Sequence, residues 1–291
     1  MKEELAAIMR RPHVKRLADE LMRLTTQAFR PEHNTAILSW SKRDGVGRVM
    51  GFGHHLWTPS CSARPIIAVD VTQWMERVLH VGRKRNKENL PRRSTRSWID
   101  DTHTCALGGE TCFAVAAGLD PLKDVNWDEM KNGDGGIDFF AGSCHSVDVK
   151  TVNYFHDPYL KEFRKLDQPD LKQPFRAAMH VLAVPVPALD DRMIFLVMGH
   201  TDRGRLEAAP TRDWGHGPMH SLAWHELDIG LPRPFAGRFD QLLADEANRR
   251  GLVTDMPVTA RSSFGDLWPG RRMPNSTAGF EDFLRSVTRT K

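Results

Sequence analysis

Two short apolar runs, each carrying one aspartate, lie on either side of a break of small residues between positions 135 and 150. The first run reads Gly-Gly-Ile-Asp-Phe-Phe and contains Asp138, and the second reads Val-Asp-Val-Lys and contains Asp148. The Ala-Gly-Ser sequence at 141–143 predicts a tight turn between two strands. The sequence therefore predicts a β-hairpin that brings two carboxylates together on neighbouring strands.

Alternation along the second strand places Asp148 and Lys150 on one face, and Val147 and Val149 on the face that points into a core. Carboxylates grouped in this way are typical oxygen ligands of a hard cation such as Mg²⁺. A lysine beside the metal can orient the attacking water and offset charge that develops at a phosphate. The hairpin is therefore a candidate site for metal-dependent chemistry on phosphate esters.

Asp138 lies between Ile137 and Phe139. A carboxylate inside an apolar run is costly to bury unless it is paired or bound to a metal, which favours a ligand role. The alternative is a cross-strand salt bridge between Asp138 and Lys150.

The rest of the chain predicts an α/β core. An amphipathic helix after Pro12 carries one apolar face, and a second helix has Asp70 as its N-cap. A third helix is predicted at 107–118, which puts Glu110 in its first turn, where the helix dipole favours an acidic side chain. The apolar face of the first helix comprises Val14, Leu17, Ala18, Leu21, Leu24 and Ala28, and further strand-like runs lie at 159–163, 178–186, 193–198 and 220–224, followed by a helical stretch at 239–250.

Charge is concentrated just before the third helix. The chain has a net charge of +4 and a pI near 8.9, which permits an acidic partner such as nucleic acid. Residues 83–96 contain seven basic residues against one acid. This run is either a solvated surface loop or a surface that neutralises phosphates; the candidates for nucleic-acid contact are Arg83, Lys84, Arg85, Arg92 and Arg93.

Three segments in this order resemble the PD-(D/E)xK, or restriction-endonuclease-like, nuclease superfamily, in particular its phage and prophage members. They are Gly-Gly-Glu-Thr-Cys-Phe-Ala-Val-Ala-Ala-Gly-Leu at 108–119, Asp-Gly-Gly-Ile-Asp-Phe at 134–139 and Val-Asp-Val-Lys-Thr at 147–151. The resemblance implies a mixed central sheet flanked by helices. Ile137 stands where the family's motif has proline.

The same resemblance implies roles for five positions. Asp138, Asp148 and the backbone carbonyl of Val149 are expected to hold Mg²⁺, with Mn²⁺ as a substitute. Lys150 is expected to serve the water or the scissile phosphate, and Glu110 to complete the metal shell or bind a second ion. The expected activity is hydrolysis of DNA phosphodiester bonds, most simply as an endonuclease on duplex DNA.

The sequence predicts three parts: a helical and mixed N-terminal extension at 1–100 with a possible DNA-contacting surface, a nuclease core at 101–255, and a loosely attached tail at 256–291. Two alternatives stay open, a nuclease of the same fold that acts on RNA or branched structures, and a non-cleaving nucleic-acid-binding protein. A homodimer is compatible with either. The sequence shows no signal peptide and no apolar run of membrane-spanning length, so we expect the cytoplasm of a bacterial or phage-infected cell and no membrane partner.

Overall fold

The strands of the central sheet form where the chain carries unbroken apolar runs. The computed structural model describes residues 12–29, 34–43, 46–51, 64–88, 102–128, 137–141, 145–152, 159–163, 176–186, 192–213, 218–238 and 241–242. Strands β7 and β8 are buried along almost their whole length, the pattern expected of strands covered on both faces. The strands in these described ranges are β1 Thr35–Arg43, β2 Val46–Gly51, β3 Arg64–Asp70, β4 Phe139–Ala141, β5 His145–Thr151, β6 Tyr159–Phe163, β7 Met179–Val186, β8 Ile194–Asp202, β9 Thr211–Asp213 and β10 Pro218–Ala223.

Seven strands form one mixed sheet in the order β2-β1-β3-β8-β7-β5-β4, and β6-β10-β9 form a second sheet. Neighbours in the large sheet are antiparallel except β5 and β7, which are parallel. Within the described residues the α-helices are α1 Pro12–Ala28, α2 Met75–Glu88, α3 Thr102–Ala117, α4 Pro121–Asp124 and α5 Arg203–Glu207. The predicted α/β class and the mixed sheet with flanking helices are confirmed.

Two apolar cores lie on opposite faces of the large sheet, because alternate residues of each strand point to opposite sides. In β3, Ile67 and Val69 belong to the core that includes α2 and α3, whereas Ile66 and Ala68 belong to the core that includes α1 and Leu222 of β10. The predicted apolar face of α1 is confirmed, since its members up to Leu24 are all buried. We call these the α3 face and the α1 face of the sheet.

Helix α3 begins at Thr102, five residues before the predicted start. Its end is as predicted: Gly118 has φ 74°, and the backbone N–H groups of Gly118 and Leu119 donate to the carbonyls of Val115 and Ala114, which is a Schellman cap. The earlier start places Glu110 in the third turn. The suggestion that Glu110 is a first-turn charge stabilised by the helix dipole is therefore wrong.

Two glycines let α3 approach the sheet closely. A Cβ atom at Gly108 would come within 2.3 Å of the ring of Phe195, and one at Gly109 within 2.0 Å of Thr151 Oγ1. Phe195 is fully buried, so its ring cannot move aside without repacking.

We therefore expect Gly108→Ala to lower the free energy of unfolding by about 1–3 kcal/mol, the usual cost of overpacking. Urea denaturation measures the change. Gly237→Ala is the control, because nothing lies within 4 Å of the added methyl group. Equal stabilities of the two variants would contradict close packing at Gly108.

The sheet crosses the predicted boundary at residue 100, since β1, β2 and β3 pair into the same sheet as β8, β7, β5 and β4. The predicted tail at 256–291, and most of the predicted helix at 239–250, lie outside the described residues. Among the helices that the structure describes, none is long and apolar enough to cross a membrane.

Candidate active site on a β-hairpin

The predicted hairpin is present. Strands β4 and β5 are antiparallel, with Phe139 opposite Val147 and Ala141 opposite His145; the connecting residues 142–144 lie outside the described part of the chain. Phe139 and Val147 both enter the core of the α3 face. Burial of these two side chains fixes the register and sets where the aspartates fall.

Asp138 stands at the point where β4 begins. Its backbone N–H donates to the carbonyl of Val147 at 2.8 Å, and its Oδ2 accepts from the backbone N–H of Val149 at 2.6 Å. The Asp138 carboxylate thus accepts the hydrogen bond from Val149 that a backbone carbonyl would accept in a regular β-ladder. Because the N–H and C=O of one strand residue point to the same side, the Val149 carbonyl is directed toward the edge where Asp138 lies.

Asp148 is buried, with 5 % of its surface exposed, and it is paired with Lys150. The Lys150 Nζ lies 2.8 Å from Asp148 Oδ2, and 29 % of the lysine side chain is exposed. The prediction that these two residues share a face, while Val147 and Val149 enter a core, is confirmed. The pair therefore joins a buried carboxylate to a lysine side chain that is partly exposed to solvent.

His180 is a third member of this cluster, and the sequence analysis missed it. It is 1 % exposed, and its Nδ1 lies 3.5 Å from Asp148 Oδ2. The contact arises because β7 runs parallel to β5 with His180 directly beside Asp148. The only sequence signal was a histidine inside an otherwise apolar run, and the pairing partner of that run was not readable.

The pKa of the Asp148 carboxyl lies below its ordinary value. Burial alone raises this pKa, but the contact with His180 and the positive charge of Lys150 act in the opposite direction and prevail. The cluster therefore holds Asp148 as a carboxylate, the form that can bind a cation.

This depressed pKa predicts a pH dependence of stability. The Asp148 carboxyl binds a proton more readily in the unfolded state, where its pKa is 3.8, than in the folded state, where its pKa is lower. The stability that ionised Asp148 adds to the fold is therefore fully present above pH 3.8, and it is lost as the pH falls through the folded-state pKa. We expect the stability advantage of the wild type over Asp148→Asn to shrink on acidification from pH 6 to pH 3. Urea unfolding across this range measures it, with the surface change Asp128→Asn as control; an advantage independent of pH would contradict the shift.

Glu110 approaches the hairpin from the other side of the sheet. It is buried, with 6 % exposed, and it lies on α3 between Gly109, which faces Thr151, and Phe113, whose ring centroid is 4.8 Å from that of Phe139. Helix α3 thus covers the face of Val147 and Val149, opposite Asp148 and Lys150.

Within the described ranges, no three or more His, Cys, Asp or Glu side chains form a group that could hold a metal ion. The hairpin pairs Asp148 with Lys150 and sets Asp138 against the backbone of Val149, the residue between them. The described side chains do not gather Glu110 with both aspartates into a three-carboxylate set. Two carboxylates still fit Mg²⁺, which commonly takes one or two from the protein and completes its shell with waters and substrate phosphate oxygens.

The predicted basic surface is only partly described. Arg83 and Lys84 are exposed on α2. Arg85 is anchored, because its guanidinium donates to the carbonyls of Asn126 at 2.8 Å and Asp128 at 2.9 Å. Arg92 and Arg93 lie outside the described residues.

Comparison with protein-family models, with characterised proteins and with solved structures finds no match to this chain.

Proposed function

We propose that this protein is a Mg²⁺-dependent nuclease that hydrolyses phosphodiester bonds of DNA. The observation that carries the proposal is the hairpin, where Asp138 is fixed on the backbone of Val149, the residue between Asp148 and Lys150. The carboxylates of Asp138 and Asp148 and the carbonyl of Val149 are oxygen ligands suited to a hard cation, and the Lys150 ammonium group is suited to a phosphate. The order of α3, β4, β5 and the parallel strand β7 further supports a restriction-endonuclease-like core.

In this proposal Asp138, Asp148 and the Val149 carbonyl would hold Mg²⁺. Glu110 lies on α3, across the sheet from Asp148, so the proposal gives it no bond to this ion. The bound ion would polarise the scissile phosphate and lower the pKa of the attacking water. Asp148 is suited to this role because its environment keeps it ionised.

Lys150 has a separate part in the proposed reaction. Its side chain is partly exposed and its Nζ lies against Asp148, which suits it to contact a phosphate oxygen beside the aspartate. There it would offset the negative charge that grows on the phosphoryl group and orient the water for in-line attack. His180 would position Asp148 from the buried side.

The exposed residues Arg83 and Lys84 support nucleic acid as the partner, because exposed cations neutralise backbone phosphates. Arg85 is assigned to holding the 126–128 segment.

The test is an incubation panel of supercoiled plasmid, linear duplex, single-stranded DNA and RNA, each with Mg²⁺, Mn²⁺ or a chelator. Cleavage of a DNA substrate only when metal is present supports the proposal. Cleavage confined to RNA or to branched substrates identifies a nuclease of the same fold with that specificity. Binding without cleavage identifies a non-cleaving nucleic-acid-binding protein. A protein that neither binds nor cleaves any of these nucleic acids overturns the proposal.

A further inference from the structure

Phe140 is exposed on the same face of the sheet as the proposed catalytic pair. Among the described residues, the exposed large apolar side chains are Phe140, at 67 %, and Leu122, at 54 %. Phe140 lies opposite Ser146 in the β4–β5 ladder, and alternation puts Ser146, Asp148 and Lys150 on one face of β5. Its neighbour Phe139 points the other way, into the core.

The separation between Phe140 and Asp148 is short. They are diagonal neighbours across an antiparallel pair, whose side chains stand roughly 7–8 Å apart. A nucleotide whose phosphate lies at Asp148 and Lys150 therefore has the ring of Phe140 within reach of its own base or the adjacent one.

Two arginines lie on the segments beyond Ser146, on the side of β5 away from β4. The Oγ of Ser146 accepts from the backbone N–H of Ala178 at 2.9 Å, and the carbonyl of Ala178 accepts from the N–H of Arg203 at 2.9 Å. The Arg203 side chain is half exposed and forms a surface ion pair of 3.9 Å with Glu207. Arg176, two residues before Ala178, is exposed.

An exposed aromatic ring on the same face as a cationic side chain such as Lys150 is an arrangement by which proteins bind single-stranded nucleic acid, with bases stacked on the ring and phosphates on the cations. Bases inside a duplex are already stacked on one another and cannot meet the ring. We infer that Phe140 stacks on an unpaired base next to the scissile phosphate, so that the substrate is DNA with a single-stranded segment at the cut. This inference rests on the proposed function and specifies its substrate class.

The test is binding in Ca²⁺, in place of Mg²⁺, with a fluorescent single-stranded oligonucleotide and a blunt duplex of the same sequence. Phe140→Ala is expected to weaken single-strand binding about tenfold, within the range for one stacked base, and to leave duplex binding within about twofold. Phe140→Trp should preserve the affinity, since tryptophan also stacks. Leu122→Ala is the matched control, because it removes the other exposed apolar side chain, on α4, and should change neither affinity.

A second readout reports stacking directly. An oligonucleotide carrying 2-aminopurine should lose fluorescence on binding to the wild type and to Phe140→Trp, and keep it with Phe140→Ala, because stacking on an aromatic ring quenches this base. Thermal melting of each variant checks that the fold is intact.

The outcomes separate the two proposals. Metal-dependent cleavage with unchanged single-strand affinity in Phe140→Ala overturns the stacking role and leaves the nuclease proposal standing. A change in sedimentation of Phe140→Ala without a change in DNA affinity assigns Phe140 to self-association and overturns the stacking role likewise. Failure of the wild type to bind any nucleic acid overturns both.

Discussion

Replacing Asp148 with alanine is expected to lower the rate of metal-dependent cleavage by at least about a thousandfold. A metal ion that polarises a phosphate stabilises the transition state by several kcal/mol, and each 1.36 kcal/mol corresponds to a factor of ten in rate. Asp148 is the carboxylate that His180 and Lys150 keep ionised, so its removal takes away a proposed ligand of the metal. Single-turnover cleavage of supercoiled plasmid in Mg²⁺ measures the loss, and titration calorimetry measures metal uptake.

Two further variants, Asp148→Asn and Asp213→Asn, distinguish a loss of catalysis from a loss of folding. Asp148→Ala leaves buried His180 beside Lys150 without their shared carboxylate, which can destabilise the sheet. Asp148→Asn keeps the shape and removes the charge. Asp213→Asn, on the exposed strand β9 of the second sheet, is the matched control and should cleave at the wild-type rate. Full activity in a folded Asp148→Asn protein would refute the catalytic assignment.

The second large effect is expected for Phe113→Ala, which should lower the free energy of unfolding by about 3–5 kcal/mol, the usual range for a buried phenylalanine. Phe113 is fully buried, and its ring meets those of Phe139 at 4.8 Å and Phe235 at 5.2 Å. Its loss therefore leaves a cavity beneath the hairpin. Urea unfolding provides the measurement.

Phe140→Ala is the natural comparison for Phe113→Ala. Both remove the same ring, but Phe140 is exposed and should cost little in stability. Phe113→Leu should fall between the two, because leucine fills part of the cavity. Equal stabilities of Phe113→Ala and Phe140→Ala would show that the core beneath the hairpin is not packed as described.

The hairpin was readable from the sequence because all of its determinants are local. Alternation fixed the faces of Asp148 and Lys150, and small residues marked the turn before His145. Helix α1 was readable for the same reason, since its apolar residues repeat at helical spacing. Such patterns depend only on residues a few positions apart.

The remaining features depend on residues far apart in the chain. His180 meets Asp148 only through a parallel pairing, and periodicity within one strand does not identify the partner strand or the register. The early start of α3 was missed because its first turns lack a strong apolar pattern, and Glu110 was consequently placed in the wrong turn. The joining of β3 to β8 likewise leaves no local signature.

That last pairing has a consequence for how the chain is made. Strand β3 ends at Asp70, and its neighbour β8 begins at Ile194, so the middle of the sheet cannot close until the intervening residues have left the ribosome. Until β8 has been synthesised, the edge of β3 that pairs with it has no partner strand. Unpaired strand edges and exposed apolar residues are the surfaces through which nascent chains associate with each other or with chaperones. Slow closure through such distant contacts is the usual behaviour of sheets with long sequence separations. Expression yield should accordingly depend on temperature and chaperone supply more than the stability of the finished protein suggests.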